Sequence, residues 1–349
     1  MSLPSSSRPP PTSGTERSLP RALREFLATE AAGGAVLVLA AAAALVWANS
    51  PWRASYESVW RGSTRSGIND GLMAVFFLVV GLEVKRELVY GELRDRRRVA
   101  LPVIAAAGGM VVPAAIYLAV TAGQPGGRGW AIPMPTDIAF VLGVVVLLGP
   151  RVPTSLKLFL LMLGIADDIA SALVLAVGYS AGVSWAGIVS VVGVAAGLCV
   201  PARVAARVEH VLHPWSSFVV VPLFALANAG VHLAGHEVTS RVAVAIVVAR
   251  VVGKPSGIVA FAWLARRLGL ARLPDGVSWR QLTGAGALAG IPFTVSLVIV
   301  PLALDGALQD QARVGILLAM VVSAVAGSVL LGFRRPTGWG QPSAGGTAP

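Results

Sequence analysis

The sequence predicts an all-α integral membrane protein, a helical bundle of about ten transmembrane segments with two interrupted, crossing helices. Hydrophobic residues make up 55% of the chain, charged residues only 13%, and the mean hydropathy is +0.75. Ten apolar stretches are long enough to span a bilayer, and proline or glycine residues interrupt two of them. The ten predicted spans are 31–48, 66–84, 99–121, 130–149, 158–177, 183–200, 215–233, 242–265, 281–303 and 314–333.

The two ends of the chain differ in composition from the part between them. Residues 1–30 are rich in Pro, Ser and Arg and lack an apolar core, so they predict a disordered tail and not a signal peptide. Residues 334–349 predict a second disordered tail, which leaves 31–333 as a single membrane domain. Cys199 is the only cysteine, so an intrachain disulfide is impossible.

The basic residues predict the topology. If the N-terminus is cytoplasmic, twenty Lys and Arg residues lie on the inner side, six on the outer side, and Arg250 and Lys254 within a span. The positive-inside rule then places both termini in the cytoplasm of a multi-pass inner (plasma) membrane protein. The net charge of +11 is therefore a topology signal, and the sequence predicts no binding to nucleic acid.

The fifth predicted span contains two adjacent acidic residues, Asp167 and Asp168, in the string LGIADDIASALVL. A carboxylate at the bilayer centre costs about 2.5–3.5 kcal/mol, and such residues mark ion or proton pathways. Two adjacent carboxylates also resist ionising together. The pair therefore predicts an ion-binding or proton-binding site.

Two spans are interrupted near their middle. The fourth has Pro133, Pro135, Thr136 and Asp137, and the ninth has glycines before Pro292. Irregular backbone at membrane depth persists only where it faces protein or a water-filled cavity. Two interrupted segments in separate halves of a chain predict a transporter site, although ordinary proline kinks are the alternative.

The eighth span contains two cations. Lys254 lies deep in VARVVGKPSGIVAFAWL, and a buried ammonium needs a carboxylate or the negative end of a helix beside it. Asp137, Asp167 and Asp168 are the carboxylates expected at its depth. Arg250 lies one turn nearer the outer face, where we expect it to extend toward the interface.

Two further clusters lie at predicted inner helix ends. The first comprises Glu83, Lys85, Arg86 and Glu87, and the second comprises Glu209, His210 and His213. A solvated helix end with compensating charges explains the first cluster. Two histidines three residues apart could bind a metal ion, but no further ligands of that type are near in sequence, so a structural role is the simpler interpretation.

Several long strings resemble the NhaA family of sodium/proton antiporters, and the resemblance covers about residues 25–335. The matching strings are INDGLMAVFFLVVGLEVKREL, TDIAFVLG, IADDIA, VEHVLHPW, PLFALANAGV, VVGKPSGI and LAGIPFTVSL. The resemblance implies a fold with inverted repeats and interrupted helices at the ion site.

The resemblance also implies roles for individual residues. Asp167 and Asp168 would bind Na+ and protons, and Thr136 and Asp137 would line the same site. Lys254 would pair with an aspartate or balance facing helix ends. Matching positions imply pH activation for a third group, made up of Glu83, Lys85, Arg86, Glu87, Glu209, His210 and His213.

The chain departs from the family pattern in three places. RGSTRSGI, between Trp60 and Asn69, replaces an outer loop that can carry a β-hairpin used in dimer contact. Between Tyr179 and Val208 there is room for one span where the family has three. Pro135 and Pro292 stand where small residues are expected. We therefore expect a monomer or weak homodimer.

The sequence as a whole predicts a secondary active transporter and not an enzyme. It would exchange intracellular Na+ (or Li+) for external protons, for pH and sodium homeostasis, with the lipid bilayer as its surroundings and no cofactor. The alternative from another class is a transport-inactive homologue that acts as an ion sensor or scaffold. The missing spans favour the alternative, and the retained carboxylates and Lys254 favour exchange.

Overall fold

The computed structural model of the chain describes residues 21–60, 62–90, 96–178, 185–232 and 237–332. These residues form helices and turns with no β-strand, so the predicted all-α membrane bundle is confirmed. The helices, in chain order, are α1 Arg21–Ala48, α2 Arg53–Val59, α3 Ser63–Val89, α4 Arg96–Val120, α5 Ile138–Leu148, α6 Thr154–Gly178, α7 Trp185–Cys199, α8 Ala202–Trp215, α9 Val221–Asn228, α10 Arg241–Val248, α11 Lys254–Arg267, α12 Trp279–Ala289, α13 Thr294–Ala303 and α14 Ala307–Gly332.

Within the described part of the chain, seven helical stretches are long and apolar enough to cross a membrane. An eighth span is the pair α12 and α13, which is bent by 51°. The other two of the ten predicted spans correspond to α5, with 11 residues, and α7, with 15 residues. Since a crossing helix needs about 20 residues, neither of these helices crosses a bilayer alone.

The first helix begins earlier than the predicted membrane boundary at residue 31. α1 starts at Arg21 because residues 21–30, RALREFLATE, contain good helix formers and neither glycine nor proline. This extension brings Glu30 into the helical bundle, where it is buried. Residues 1–20 and 333–349 of the two predicted tails lie outside the described residues.

Two spans are continuous through a wider π-helical turn. Ser216–Val220 joins α8 to α9, and Ala249–Gly253 joins α10 to α11. In each case a proline follows shortly after, at Pro222 and Pro255. Proline lacks the backbone N–H that a regular helix requires, and single π turns are common where a helix absorbs such a fault near a functional site.

Glycine residues bring neighbouring helices into close contact. A Cβ on Gly257 of α11 would overlap the backbone of Gly108 on α4, and the reverse also holds. On the other side of the bundle, a Cβ on Gly197 of α7 would lie 2.6 Å from the backbone of Gly81 on α3. Small residues at such contacts allow helices to pack closely in a membrane. The α4–α11 contact places Lys254 opposite the interrupted segment before α5.

Candidate ion site at the two helix breaks

The first break lies between a 3-10 turn, Pro125–Ala131, and the start of α5 at Ile138. Pro133 and Pro135 remove two backbone donors from this segment, and the whole of 131–137 is buried. Asp137 is the N-cap of α5, since its Oδ1 accepts a hydrogen bond from the backbone N–H of Phe140 at 3.4 Å. The predicted interruption of the fourth segment is therefore present.

The second break, Gly290–Phe293, separates α12 from α13. Gly290 permits a close approach here, because a Cβ at this position would lie 2.8 Å from the carbonyl oxygen of Arg250 and 2.8 Å from Ser323 Oγ. The predicted interruption of the ninth segment is thus also present, and it packs directly against the π turn between α10 and α11.

The two breaks contact each other through Asp137. Its backbone N–H donates to the carbonyl oxygen of Ile291 at 3.2 Å. Its Oδ2 accepts from both the N–H (3.2 Å) and the hydroxyl (2.6 Å) of Thr294 at the start of α13. One carboxylate therefore caps α5 and α13 together, and its negative charge balances the positive ends of two helix dipoles.

Thr136 joins the breaks to α6. Its hydroxyl lies 2.9 Å from the carbonyl oxygen of Ala289, at the end of α12, and contacts Oδ2 of Asp167. The hydroxyl carries one hydrogen, whereas both neighbours are acceptors when Asp167 is ionised. The hydroxyl therefore donates to one of these two oxygens at a time, and it links α6 to the end of α12.

Lys254 forms a fully buried ion pair with Asp167. The distance from Nζ to Oδ2 is 2.5 Å, and both side chains are 0% exposed. Nζ also donates to the carbonyl oxygen of Met134, in the first break. Lys254 therefore lies between an aspartate of α6 and a backbone carbonyl of the first interrupted segment.

Asp168 has different surroundings from its neighbour. It is partly exposed, it lines a cavity, and no donor among the described residues contacts its carboxylate. The same cavity is lined by Thr136, Asp137 and Thr294, and it extends to Glu83 and His213. Consecutive residues on a helix point about 100° apart, so one aspartate is held by Lys254 while the other faces the cavity.

Arg250 does not extend to an interface, and the sequence-based expectation for it was wrong. It is 0% exposed, and its Nη2 donates to the carbonyl oxygen of Ile132 at 3.2 Å and to Ser296 Oγ at 2.6 Å. The sequence could have indicated this burial, because Arg250 lies four positions before the buried Lys254 and therefore on the same helix face. The π turn and the close contact at Gly290 then hold it among protein groups.

The predicted pH-sensing group is only partly assembled at the far end of the cavity. Glu83 lines the cavity, and His213 Nε2 lies 2.8 Å from Oε1 of Glu30, a residue that sequence reasoning assigned to the tail. Arg86 pairs with the buried Glu209 at 2.6 Å. Lys85 is half-buried and His210 is exposed, and the side chain of Glu87 lies outside the described part of the chain.

Among the described residues, no three His, Cys, Asp or Glu side chains are grouped closely enough to hold a metal ion. Asp137 is engaged in capping and Asp167 in the Lys254 ion pair. Asp167 and Asp168 can therefore share a cation only if the Lys254 ammonium gives up its place at Asp167.

Interrupted helices that meet at buried carboxylates inside an all-α membrane bundle define a protein of the transporter class. Residues 24–203 and 183–331 match the model of the family described as Na+/H+ antiporter 1. The chain belongs to this family.

Three relatives show the extent of the likeness. An Na(+)/H(+) antiporter NhaA 2 of Acidiphilium cryptum is 39% identical over 90% of this chain and 92% of its own. An Na(+)/H(+) antiporter NhaA 3 of Frankia alni is 41% identical over 94% of this chain and 93% of its own. An Na(+)/H(+) antiporter NhaA 2 of Pseudomonas syringae is 44% identical over 92% of this chain and 97% of its own.

The alignments also show that the relatives carry segments this chain lacks. The alignment with the Acidiphilium cryptum protein runs over 414 positions, more than the 349 residues of the chain. The two family matches overlap at residues 183–203 of this chain.

Proposed function

We propose that this protein is a secondary antiporter that exchanges Na+ (or Li+) for protons. The observation that carries the proposal is the unequal aspartate pair, in which Asp167 is bound to Lys254 and Asp168 faces the cavity without a donor. A cation that reaches the cavity meets Asp168 first. Sodium prefers oxygen ligands, by analogy with other hard cations, and the Thr136 hydroxyl and both aspartates supply them.

Exchange follows from competition for the same carboxylates. When Na+ binds between Asp168 and Asp167, Lys254 releases Asp167, and the protons held by the Asp168 carboxyl and the Lys254 ammonium leave. When protons return to Asp168 and Lys254, the ion pair between Lys254 and Asp167 re-forms and Na+ is released. Access to the site alternates as one part of the bundle rocks against the other around the two breaks.

The proposed direction of exchange follows from the charge asymmetry. The side bearing Arg86, Arg151, Arg203 and Arg266 faces the cytoplasm under the positive-inside rule, and the cavity at Asp168 extends toward Glu83 on that side. Intracellular Na+ would therefore leave in exchange for external protons, in the inner membrane, and the exchange would serve pH and sodium homeostasis. Glu83 and His213 line this end of the cavity, and Arg86 pairs with Glu209. We propose that these four residues adjust the activity to pH.

A transport-inactive homologue that acts as an ion sensor or scaffold is the competing function, and the shortness of this chain relative to the alignment with its relatives favours it. An assay in everted membrane vesicles with an acidified lumen distinguishes the two functions. Addition of Na+ or Li+ makes the lumen more alkaline if the protein exchanges ions, and leaves it unchanged if the protein only binds them.

The same assay tests the site. Asp168→Asn removes the cavity-facing charge, so we expect sodium-dependent proton movement to fall to the level of vesicles without the protein. Asp305→Asn, on an exposed residue beyond α13, is the matched control and should retain exchange. Full exchange by a correctly inserted Asp168→Asn protein would contradict the proposed site.

A further inference from the structure

The guanidinium of Arg250 closes one side of the ion site. Its two partners belong to different interrupted segments: Ile132 lies in the first break and Ser296 lies in the first turn of α13. Ser296 Oγ in turn donates to the carbonyl oxygen of Ile132 at 2.9 Å. The three groups form a closed triangle of hydrogen bonds between three segments that are far apart in sequence.

The triangle lies on the side of the site away from the cavity entrance. Arg250 precedes Lys254 by about one turn in a span that runs from the Arg241 end toward Arg267, so it lies nearer the Arg241 end than the lysine does. Ser296 is one of the residues that line the cavity, whereas Arg250 contacts Ser296 and does not line the cavity. The buried Arg250 and its partners therefore lie between the cavity and the Arg241 end of this span.

The charge of Arg250 adds a second barrier. The side chain is 0% exposed, and its Nε and Nη1 have no hydrogen-bond partner within the described residues. A cation on the route past Ser296 would approach this positive charge, which no carboxylate contacts directly within the described residues, and a single arginine in a narrow pathway is enough to repel cations. Two of its five donors are used, so the contact is also weak enough to break during a transport cycle.

We propose that Arg250 is a gating residue, which holds the outer halves of the two interrupted segments together and bars cations while the cavity side is open. The inference rests on the alternating access of the proposed function. Its release from Ile132 and Ser296 opens the site toward the Arg241 side, and its return closes that side again.

Thiol labelling tests the gate without requiring transport. Val300 is fully buried in α13, one turn beyond Ser296 on the same face. Val300→Cys, in a background with Cys199→Ser, reports access from the Arg241 side to a membrane-impermeant maleimide, added to intact cells and separately to everted vesicles. Adding Arg250→Gln should increase the labelling rate from that side about tenfold, since hydrogen bonds from a charged group shift an equilibrium by that factor.

Two further variants complete the experiment. Ser296→Ala removes one of the three hydrogen-bonding groups and keeps the charge of Arg250, so the labelling rate should increase less, about threefold. This variant also tests the gate if the Arg250→Gln protein fails to insert into the membrane. Arg241→Gln removes the same charge from an exposed position on the same span and should leave the rate unchanged. Unchanged labelling in both triangle variants, or an equal increase in Arg241→Gln, would overturn the proposal. If Arg250→Gln raises the labelling rate but the unmodified protein does not exchange ions, the gating role of Arg250 is supported and only the antiport function is rejected.

Discussion

At the scale of single residues, the site is organised by which charges have partners. Asp137 is satisfied by three donors from two helix starts. Asp167 contacts Lys254 and Thr136 through Oδ2, and its buried Oδ1 has no hydrogen-bond partner among the described residues. Asp168 has no such donor among the described residues, which leaves it as the carboxylate able to exchange its partner. The three aspartate side chains are chemically identical, so their different roles come from the groups that each one contacts.

The buried ion pair gives a prediction for stability. Asp167→Asn leaves the Lys254 ammonium buried without a counter-charge, a change that costs about 3–5 kcal/mol in unfolding free energy. The double variant Asp167→Asn with Lys254→Gln should recover much of this loss, because no charge then remains unpaired. Thermal unfolding in mild detergent, followed by tryptophan fluorescence, measures both.

The control is the ion pair between Arg53 and Glu57, at 2.6 Å and with side chains 49% and 43% exposed. Glu57→Gln should change stability by no more than about 1 kcal/mol, since exposed pairs contribute little. If Asp167→Asn melts like Glu57→Gln, the pair with Lys254 does not stabilise the fold.

The aspartate pair, the lysine and both interruptions could be predicted from the sequence, because a charge or a proline within an apolar stretch is visible without coordinates. Arg250 and Glu30 could not be assigned in the same way. Arg250 stays inside only because a π turn and Gly290 direct it toward Ile132 and Ser296. Glu30 joins the cavity because α1 begins ten residues before the predicted boundary, a boundary that hydropathy alone placed too late.

At the scale of helices, the position of Lys254 depends on how closely α11 approaches α4. Gly108 and Gly257 face each other so closely that a Cβ on either would overlap the backbone of the other. Gly257 is one turn beyond Lys254 on the same face, so this contact fixes the depth of the lysine relative to the first break. The hydropathy pattern carries no information about such a contact.

Gly257→Ala should therefore lower both the thermal stability and the rate of exchange, because α11 must move away from α4. Gly71→Ala is the matched control: Gly71 is also helical, but no atom lies within 4 Å of the added Cβ. There the substitution should be neutral or stabilise by up to about 1 kcal/mol, since alanine favours helix. Equal melting temperatures for the two variants would contradict this account of the α4–α11 contact.

At the scale of the whole molecule, the charge asymmetry predicts how the bundle is oriented in the membrane. We predict that Arg96 faces the cytoplasm, together with both termini. In a background lacking Cys199, an Arg96→Cys protein in intact cells should resist an impermeant thiol reagent, whereas Asp305→Cys, on the opposite side, should react. External labelling at position 96 would reverse the orientation.

The oligomeric state depends on the short connection between α2 and α3. α3 begins at Ser63, so most of the string RGSTRSGI is helical and leaves no room for a hairpin of two strands of about five residues. We therefore predict a monomer or a weak dimer in mild detergent. Light scattering over a dilution series measures this, and a dimer that survives dilution would contradict it. A hairpin grafted between Trp60 and Asn69 should strengthen dimerisation without changing ion affinity.

The bond from the Asp137 N–H to the carbonyl of Ile291 joins positions on opposite sides of the chain's midpoint. During synthesis, Asp137, Asp167 and Asp168 enter the bilayer well before Lys254 and Thr294 have been translated. The nascent chain must therefore hold three acidic groups in the membrane without their final partners. A ribosome-bound intermediate that ends before residue 250 would depend on protonation, or on the insertion machinery, to keep α6 in place. Completion of the ion site is then one of the last events of biogenesis.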